Sequence, residues 1–222
     1  VLDNSSGGNF TLNNGATLKT THPEGISLSG ESGCIQLMGV LDFKTGATFV
    51  YYRNGAQNTG TGLPQTSFTG LTVGSTENAT NLTINNATSK AIVGGTLTLI
   101  SNSSSNSTIA SGTIEFGVAS GELKYQGASS QTTTNVEFPS PNGPYSLTID
   151  NANGVALHSS RTIDGNLTLS NGLLSLGSNN LTLGSGATIS GIPSATNMIV
   201  ATGTGELRKI FTDGTSPVSF TF

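Results

Sequence analysis

The stretch GNLTLSNGLLSLGSNNLTLGSGATISG, residues 165–191, decides the fold class of this chain. Leucines separated by one residue recur in it every seven positions, as the pairs Leu167/Leu169, Leu174/Leu176 and Leu181/Leu183. Glycine interrupts the stretch at four internal positions and costs a helix about 1 kcal/mol at each, so this heptad is not that of a coiled coil. Apolar and polar residues that alternate between Gly, Asn and Ser are instead typical of short strands.

The seven-residue step also predicts how the strands are connected. About three residues remain for each corner, and three such steps make a coil of roughly 20–25 residues. This spacing predicts a right-handed parallel β-helix, a three-faced β-solenoid in which Leu167, Leu174 and Leu181 occupy successive sides of one coil. The pattern leaves open which member of each leucine pair faces the core. A β-sandwich is the alternative, but its strands are usually longer and its turns more widely spaced.

A longer repeat overlies the short one and predicts an imperfect internal duplication, with copies over residues 41–101 and 114–171. The matches are VYYRNGAQNTGTGLP (50–64) with LKYQGASSQTTTNVEFPSPNGP (123–144), NLTINNA (81–87) with SLTIDNA (146–152), and GTLTLIS (95–101) with GNLTLSN (165–171). We expect residues 1–222 to form a single solenoid domain of about nine or ten coils, roughly 45 Å long. The alternating VSFTF at 218–222 predicts a last strand and suggests a fragment of a larger chain.

The composition narrows the possible partners. Only 9% of residues are charged, the net charge is −4, and the eight Lys and Arg residues are spread thinly. Nucleic acids and anionic membranes attract clustered positive charge, so we expect no nucleic-acid partner. No apolar run approaches the length of a membrane span, so we expect no membrane insertion. Cys34 stands alone and can form neither an internal disulfide nor a cysteine-based metal site.

The residues show no pattern of catalytic or cofactor-binding chemistry. The twelve acidic residues are scattered, and the two histidines, His22 and His158, lie far apart with no nucleophile in a known motif spacing. The regular acidic repeat of calcium-binding β-helices is missing from the sequence. We therefore expect no catalytic residue, no metal and no cofactor, and we predict that the chain is not an enzyme.

Aromatic side chains are the one candidate binding feature. In ATFVYYR, alternation places Phe49 and Tyr51 on one side of a strand and Tyr52 on the other, so one aromatic set should be exposed. An exposed tyrosine beside Arg53 can stack on a sugar ring or on a partner surface. Tyr51, Tyr52 and Arg53 are therefore the predicted surface-contact residues.

The order of motifs along the chain resembles a known family. After the tyrosines and Asn-Gly come, in succession, GTGLP, NLTINNA, GTLTL, NGLLSLGSNNLTLGSGATISG and GTGELRK. This order resembles the repeat region of large secreted surface proteins of Bacteroidetes and related phyla, which are adhesin-like and are often exported by the type IX secretion route. The resemblance implies a secreted repeat at the bacterial cell surface, whose partners are neighbouring repeats of the same parent chain.

The sequence therefore favours a non-catalytic, extracellular structural or adhesive repeat module, such as a stalk or adhesin segment that contacts surface glycans or other cells. One alternative is a carbohydrate-binding or carbohydrate-cleaving β-helix domain, which predicts an acidic or aromatic cluster on one face. A second alternative is a self-assembling filament or matrix subunit, which predicts head-to-tail stacking of the coil ends.

Overall fold

The computed structural model describes residues 2–4, 8–27, 32–37 and 39–212, and the predicted strand VSFTF lies outside these ranges. The described residues form strands and turns, and none of them forms a helix that could span a membrane. In chain order the strands are β1 (Leu2–Asn4), β2 (Phe10–Leu12), β3 (Thr17–Thr20), β4 (Ile35–Leu37), β5 (Leu41–Phe43), β6 (Thr48–Tyr51), β7 (Gly55–Asn58), β8 (Phe68–Val73), β9 (Thr80–Thr83), β10 (Lys90–Ser101), β11 (Thr108–Ser111), β12 (Thr113–Phe116), β13 (Glu122–Gly127), β14 (Gln131–Thr132), β15 (Ser146–Asn151), β16 (Val155–Ala156), β17 (Arg161–Ile163), β18 (Asn166–Asn171), β19 (Leu174–Ser175), β20 (Leu181–Leu183), β21 (Thr188–Gly191), β22 (Ile199–Val200) and β23 (Leu207–Lys209).

These strands stack in parallel columns. The long column contains eight strands in the order β3, β6, β8, β10, β13, β15, β18 and β21, and β12 also pairs with β10. Within the long column, paired residues of neighbouring strands lie from 20 positions apart, as in Leu147 with Leu167, to 31 apart, as in Thr17 with Thr48. The protein is therefore a parallel β-solenoid of about six turns, which confirms the predicted fold class. The estimate of nine or ten coils is too high, because several coils contain extra residues in their corners.

One coil of the C-terminal half shows the three sides directly. Leu167 lies in β18 of the long column, Leu174 in β19 of the column β14-β16-β19-β22, and Leu181 in β20 of the column β17-β20-β23. The three leucines thus occupy three faces, as the seven-residue step predicts. At the corner between the first two, Gly172 has a φ of +91°, and a Cβ there would lie 1.8 Å from the carbonyl oxygen of Asn151. Only glycine fits this corner.

Both leucines of every pair face the core. Leu169, Leu176 and Leu183 are at most 6% exposed, and their partners two positions earlier are fully buried. Side chains alternate along a strand, so residues two positions apart lie on the same side of it. The question of which member points inward therefore has a simple answer, because both do.

The buried side chains form continuous rows along the coil axis. One inner row of the long column consists of residues that pair in succession, namely Thr20, Tyr51, Val73, Leu99, Tyr125, Ile149 and Leu169. Near the N-terminus, Phe49 makes edge-to-face contacts with Phe43 and Phe68, at centroid distances of 5.3 and 5.0 Å. The core therefore changes from stacked aromatic rings to stacked leucines along the chain.

Hydroxyl, amide and charged side chains cover the outer face of the long column and bond to each other from coil to coil. Thr188 Oγ1 donates to Asn166 Oδ1 at 3.0 Å, and Asn166 Nδ2 donates to Ser190 Oγ at 2.9 Å. Further along the same face, Lys124 forms an ion pair of 2.8 Å with Asp150. The outer rows therefore strengthen the stack and keep the surface polar.

The segments matched in the predicted duplication can now be placed on the coils. Tyr51 and Tyr125 share an inner row, three strands apart in the long column, and GTLTLIS (95–101) and GNLTLSN (165–171) are also three strands apart there. NLTINNA, however, begins in β9 of another column, whereas SLTIDNA lies in β15 of the long one. Two of the three matches therefore share a face and one does not, and the duplication itself stays a prediction.

Candidate contact groove and buried polar network

Tyr51 does not reach the surface. Its side chain is fully buried in the inner row, and its hydroxyl donates a 2.9 Å hydrogen bond to the backbone carbonyl of Thr59. Burial raises the pKa of Tyr51 well above its ordinary value, and the nearby Cys34 adds to this effect. The expectation that Tyr51 contacts a partner is thus wrong, because this residue and Phe49 form the inward aromatic set of β6.

Tyr52 and Arg53 are both half-buried and accessible from outside. Tyr52 helps to line a shallow groove of about 450 Å³ on the outer face of the long column, where Val50 and Ile100 add apolar surface and Lys19 and Glu77 add opposite charges. Arg53 does not line the groove, and its Nη1 donates instead to the carbonyl of Thr21 at 3.4 Å. The structure therefore brings one predicted contact residue, Tyr52, into a candidate contact groove. An aromatic ring beside aliphatic and charged groups suits a sugar ring.

A buried polar network lies where thirteen residues, 133–145, connect β14 to β15. It contains Glu137 and Arg161, which are 1% and 6% exposed. A buried charge is costly unless hydrogen bonds satisfy it, so the partners of these two groups decide what the network does. Neither residue was among the predicted site residues.

Glu137 accepts hydrogen bonds from three donors. Tyr125 Oη donates to Oε1 at 2.8 Å, the backbone N–H of Thr134 donates to Oε1 at 2.5 Å, and the Thr134 hydroxyl donates to Oε2. Burial raises the pKa of Tyr125 well above its ordinary value, and the Glu137 carboxylate raises it further. The carboxylate therefore ties the beginning of the 133–145 loop to the inner row of the long column.

Arg161 fixes the same loop from β17. Its Nε donates to the carbonyl of Phe138 at 2.6 Å, its Nη1 to the carbonyl of Ser160 at 2.8 Å, and its Nη2 to Asn135 Oδ1. The guanidinium carbon also lies 5.7 Å from the centre of the Phe138 ring, within the range of a cation–π contact. Burial lowers the pKa of Arg161, while the Glu137 carboxylate acts in the opposite direction.

His158 completes the network at the edge of the solvent. Its Nδ1 lies 2.6 Å from Thr133 Oγ1, and its Nε2 lies 2.8 Å from Arg161 Nη2. The same Nε2 lies 3.0 Å from Asn135 Oδ1. Because arginine can only donate and an amide oxygen can only accept, Nε2 of a neutral His158 bonds to Arg161 when the ring proton is on Nδ1 and to Asn135 when it is on Nε2. Burial lowers the pKa of His158, and the positive charge of Arg161 lowers it further.

The network holds a loop, and its groups are already engaged with each other. Within the part of the chain that the structure describes, no three His, Cys, Asp or Glu residues are grouped so that they could hold a metal ion. What the arrangement can do is to keep residues 133–145 in one shape against β17 and the long column.

The chain matches no protein-family model, and no curated protein or solved structure is significantly similar to it. The β-solenoid architecture and the geometry of its surface are therefore the basis for a functional proposal.

Proposed function

We propose that the chain is a non-catalytic structural and adhesive repeat module, a stalk or adhesin segment of a large secreted protein at the bacterial cell surface. The observation that carries the proposal is the column of eight parallel strands, in which the inner and the outer rows of side chains both continue from coil to coil. Each coil covers the strand edges of the next, and such stacking produces a stiff, quasi-one-dimensional rod. The resemblance of the motif order to repeats of Bacteroidetes surface proteins supports the extracellular setting.

A rod of this kind separates its two ends by a length that the number of coils sets. Eight stacked strands span about 34 Å at a spacing of about 4.8 Å. In the proposed setting, neighbouring repeats of the parent chain extend the stack and cover its end coils. The outer surface of hydroxyl, amide and paired charged groups suits such a spacer because it is polar without a strong field of one sign.

Adhesion in this proposal uses the groove beside Tyr52, with glycans or other cells as the partners. The test is a glycan array probed with the labelled wild-type chain and with Tyr52→Ala. We expect binding that Tyr52→Ala lowers by about tenfold, the effect of losing one good stacking contact. Thr168→Ala, on the same outer face but outside the groove, is the matched control and should bind like wild type.

The structural role has its own test, in which single molecules are pulled from their ends with optical tweezers. A stacked solenoid should hold its length at low force and then lengthen in steps that correspond to one or a few coils. A chain that extends smoothly from the lowest force would contradict the stalk role. Antibody labelling of intact source cells tests the location, and label that appears only after the cells are broken would contradict a surface protein.

A further inference from the structure

A second concave site lies beside the loop that the buried network holds. It is a cleft of about 350 Å³, lined by the turns at 117–119 and 139–144, by the rings of Phe116 and Tyr145, and by Arg161, Thr162 and Asp164. The groove beside Tyr52 shares no lining residue with it. The volume lies at the lower end of the range for small-molecule sites, which suits a short saccharide or a few residues of a peptide.

The loop beside the cleft is held more firmly than a corner of the coil requires. The corner between β18 and β19 uses two residues and no buried charge, whereas the connection from β14 to β15 uses thirteen residues, a buried carboxylate and a buried guanidinium. Prolines at 139, 141 and 144 restrict the same loop further. A turn alone does not require buried charges, and removing charges from water costs free energy. Holding groups in one arrangement in advance is, in contrast, what a binding site needs.

The cleft offers two polar groups that the protein itself does not use. Among the described residues, neither the Tyr145 hydroxyl nor the Asp164 carboxylate has a hydrogen-bond partner. The Tyr145 ring lies against Gly165, where a Cβ would come within 2.5 Å of the ring carbon Cδ1, so this packing needs glycine. Asp164, which directly precedes Gly165, lines the same cleft, and its carboxylate lies against Gly184 of the next coil, where a Cβ would come within 1.9 Å of Oδ1.

The charges of the cleft restrict the class of ligand. Asp164 is exposed, and the one cation among the lining residues, Arg161, has its Nε, Nη1 and Nη2 donors bonded inside the protein. The exposed carboxylate of Asp164 would repel an anionic ligand. A carboxylate can accept two hydroxyl hydrogens while an aromatic ring contacts the C–H face of a sugar. These groups together fit a neutral saccharide.

We propose that this cleft binds a neutral saccharide, with Tyr145 stacking on the sugar ring and Asp164 accepting hydrogen bonds from its hydroxyl groups. The inference rests on the adhesive part of the proposed function, to which it adds a second binding site. It does not depend on the mechanical role of the rod.

The test is isothermal titration of the full chain with cellotriose, maltotriose, mannotriose and N,N′,N″-triacetylchitotriose, supported by saturation-transfer NMR for weak binding. We expect at least one of these probes to bind the wild-type chain. Asp164→Asn and Tyr145→Ala should each weaken that binding by about tenfold, and Tyr145→Phe should keep most of it because the ring remains. Tyr52→Ala is the matched control and should leave the affinity for this probe unchanged.

Three results would overturn the proposal. The first is that no probe binds a chain whose circular dichroism and thermal unfolding show it to be folded. The second is that Tyr52→Ala abolishes the binding while the cleft variants do not, which would place the saccharide in the outer groove. The third is a lysine-rich peptide, added as a competitor, that displaces the saccharide and binds more tightly. None of these results would affect the pulling experiment, so failure of the cleft and failure of the stalk role can be told apart.

Discussion

Two coils of this solenoid begin alike and end differently. Tyr51 and Tyr125 lie in the same inner row, both are buried, and a glutamine follows each of them six positions later. Gln57 Nε2 donates to the carbonyl of Thr20, which pairs with Tyr51, and Gln131 Nε2 donates to the carbonyl of Leu99, which pairs with Tyr125. From the tyrosine to the glutamine, the two coils therefore share one arrangement, in which a buried glutamine side chain donates to a backbone carbonyl of the preceding coil.

After the glutamine the two coils differ in the group that accepts the hydrogen bond from the tyrosine hydroxyl. Tyr51 donates to the backbone carbonyl of Thr59, which needs no additional buried side chain. Tyr125 donates to Glu137, a carboxylate that burial would penalise if Thr134 did not also donate to it. In the first coil, the hydrogen bond only satisfies the buried Tyr51 hydroxyl. In the second coil, the bond from the Tyr125 hydroxyl is one of several that hold a long loop in place. This difference separates a purely structural corner from one that shapes a surface.

The largest difference between the two coils should come from Glu137→Ala, because the first coil has no equivalent residue. The change leaves the Tyr125 hydroxyl and the Thr134 donors without an acceptor, and Arg161 without a nearby negative charge. We expect the free energy of unfolding to fall by about 3–5 kcal/mol, because several hydrogen bonds to a charged group are lost at once and each contributes about 1.5–3 kcal/mol. Urea denaturation followed by circular dichroism measures it.

Glu137→Gln is the matched control, since its side-chain oxygen can still accept one of these bonds. It should lose clearly less stability than Glu137→Ala. A loss below about 1 kcal/mol for Glu137→Ala, within the range of a single neutral hydrogen bond, would show that the loop does not depend on the carboxylate.

Removing the two tyrosine hydroxyls gives a smaller and more direct contrast. Tyr125→Phe removes a bond to a carboxylate and should cost about 1.5–3 kcal/mol, whereas Tyr51→Phe removes a bond to a neutral carbonyl and should cost about 0.5–1.5 kcal/mol. Both changes keep the ring in the core, so packing is matched. Equal losses in urea denaturation would contradict the idea that the acceptor distinguishes the two coils.

Acid should weaken the second coil, and His158 should account for part of this effect. Burial and Arg161 lower the pKa of His158 in the folded chain, so near pH 6 the unfolded chain binds more protons than the folded one. The stabilisation of the folded chain by a neutral His158 is therefore fully present above the unfolded pKa of about 6.5, and it is lost as the pH falls below that value. The effect should be smaller than that of Tyr125→Phe, because His158 is half-buried and solvent screens its charge.

The measurement is the free energy of unfolding at pH 7.5, 6.5 and 5.5 for the wild type and for His158→Gln. As the pH falls, the free energy of unfolding of the wild type should decrease more than that of His158→Gln. Arg161 and Glu137 are the charged groups nearest to His158 in the network, and both remain in the variant. A difference that stays constant with pH would rule out the proposed effect of His158.

The sequence predicts the coil well because its regular part repeats. The seven-residue spacing of Leu167, Leu174 and Leu181 predicts where the strands lie, where the corners lie, and that the three leucines occupy three different faces. Both members of each pair being buried also follows from the period of two, and that step could have been taken from the sequence alone. The exposed side of β6 was predicted as one of two possibilities, and Tyr52 occupies it.

The network could not be predicted, because its members do not repeat. Glu137 stands 12 positions after Tyr125 and 24 before Arg161, so only the three-dimensional stack brings the three groups together. The sequence does contain a weak signal, since the charge in VEFP lies between two apolar residues in a chain with few charges. Such a charge is equally consistent with an exposed corner. Because the loop is long and does not repeat, its sequence does not show whether Glu137 faces the core or the solvent.

The smallest expected difference tests the part that the two coils share. Gln57→Ala and Gln131→Ala each remove a buried amide that donates to the preceding coil and accepts one further bond, from Arg53 N–H at 3.0 Å or from Asn151 Nδ2 at 2.8 Å. Gln57 Nε2 donates to two carbonyls, of Thr20 and His22, whereas Gln131 Nε2 donates to that of Leu99. Each change should cost about 1–3 kcal/mol, because it leaves buried groups unsatisfied. Gln57→Ala should cost at least as much as Gln131→Ala in urea denaturation, because its amide donates one bond more. If Gln131→Ala cost much more than Gln57→Ala, the glutamine itself would belong to the network that holds the long loop. The two coils would then diverge before the glutamine, and the shared corner would extend no further than the tyrosine.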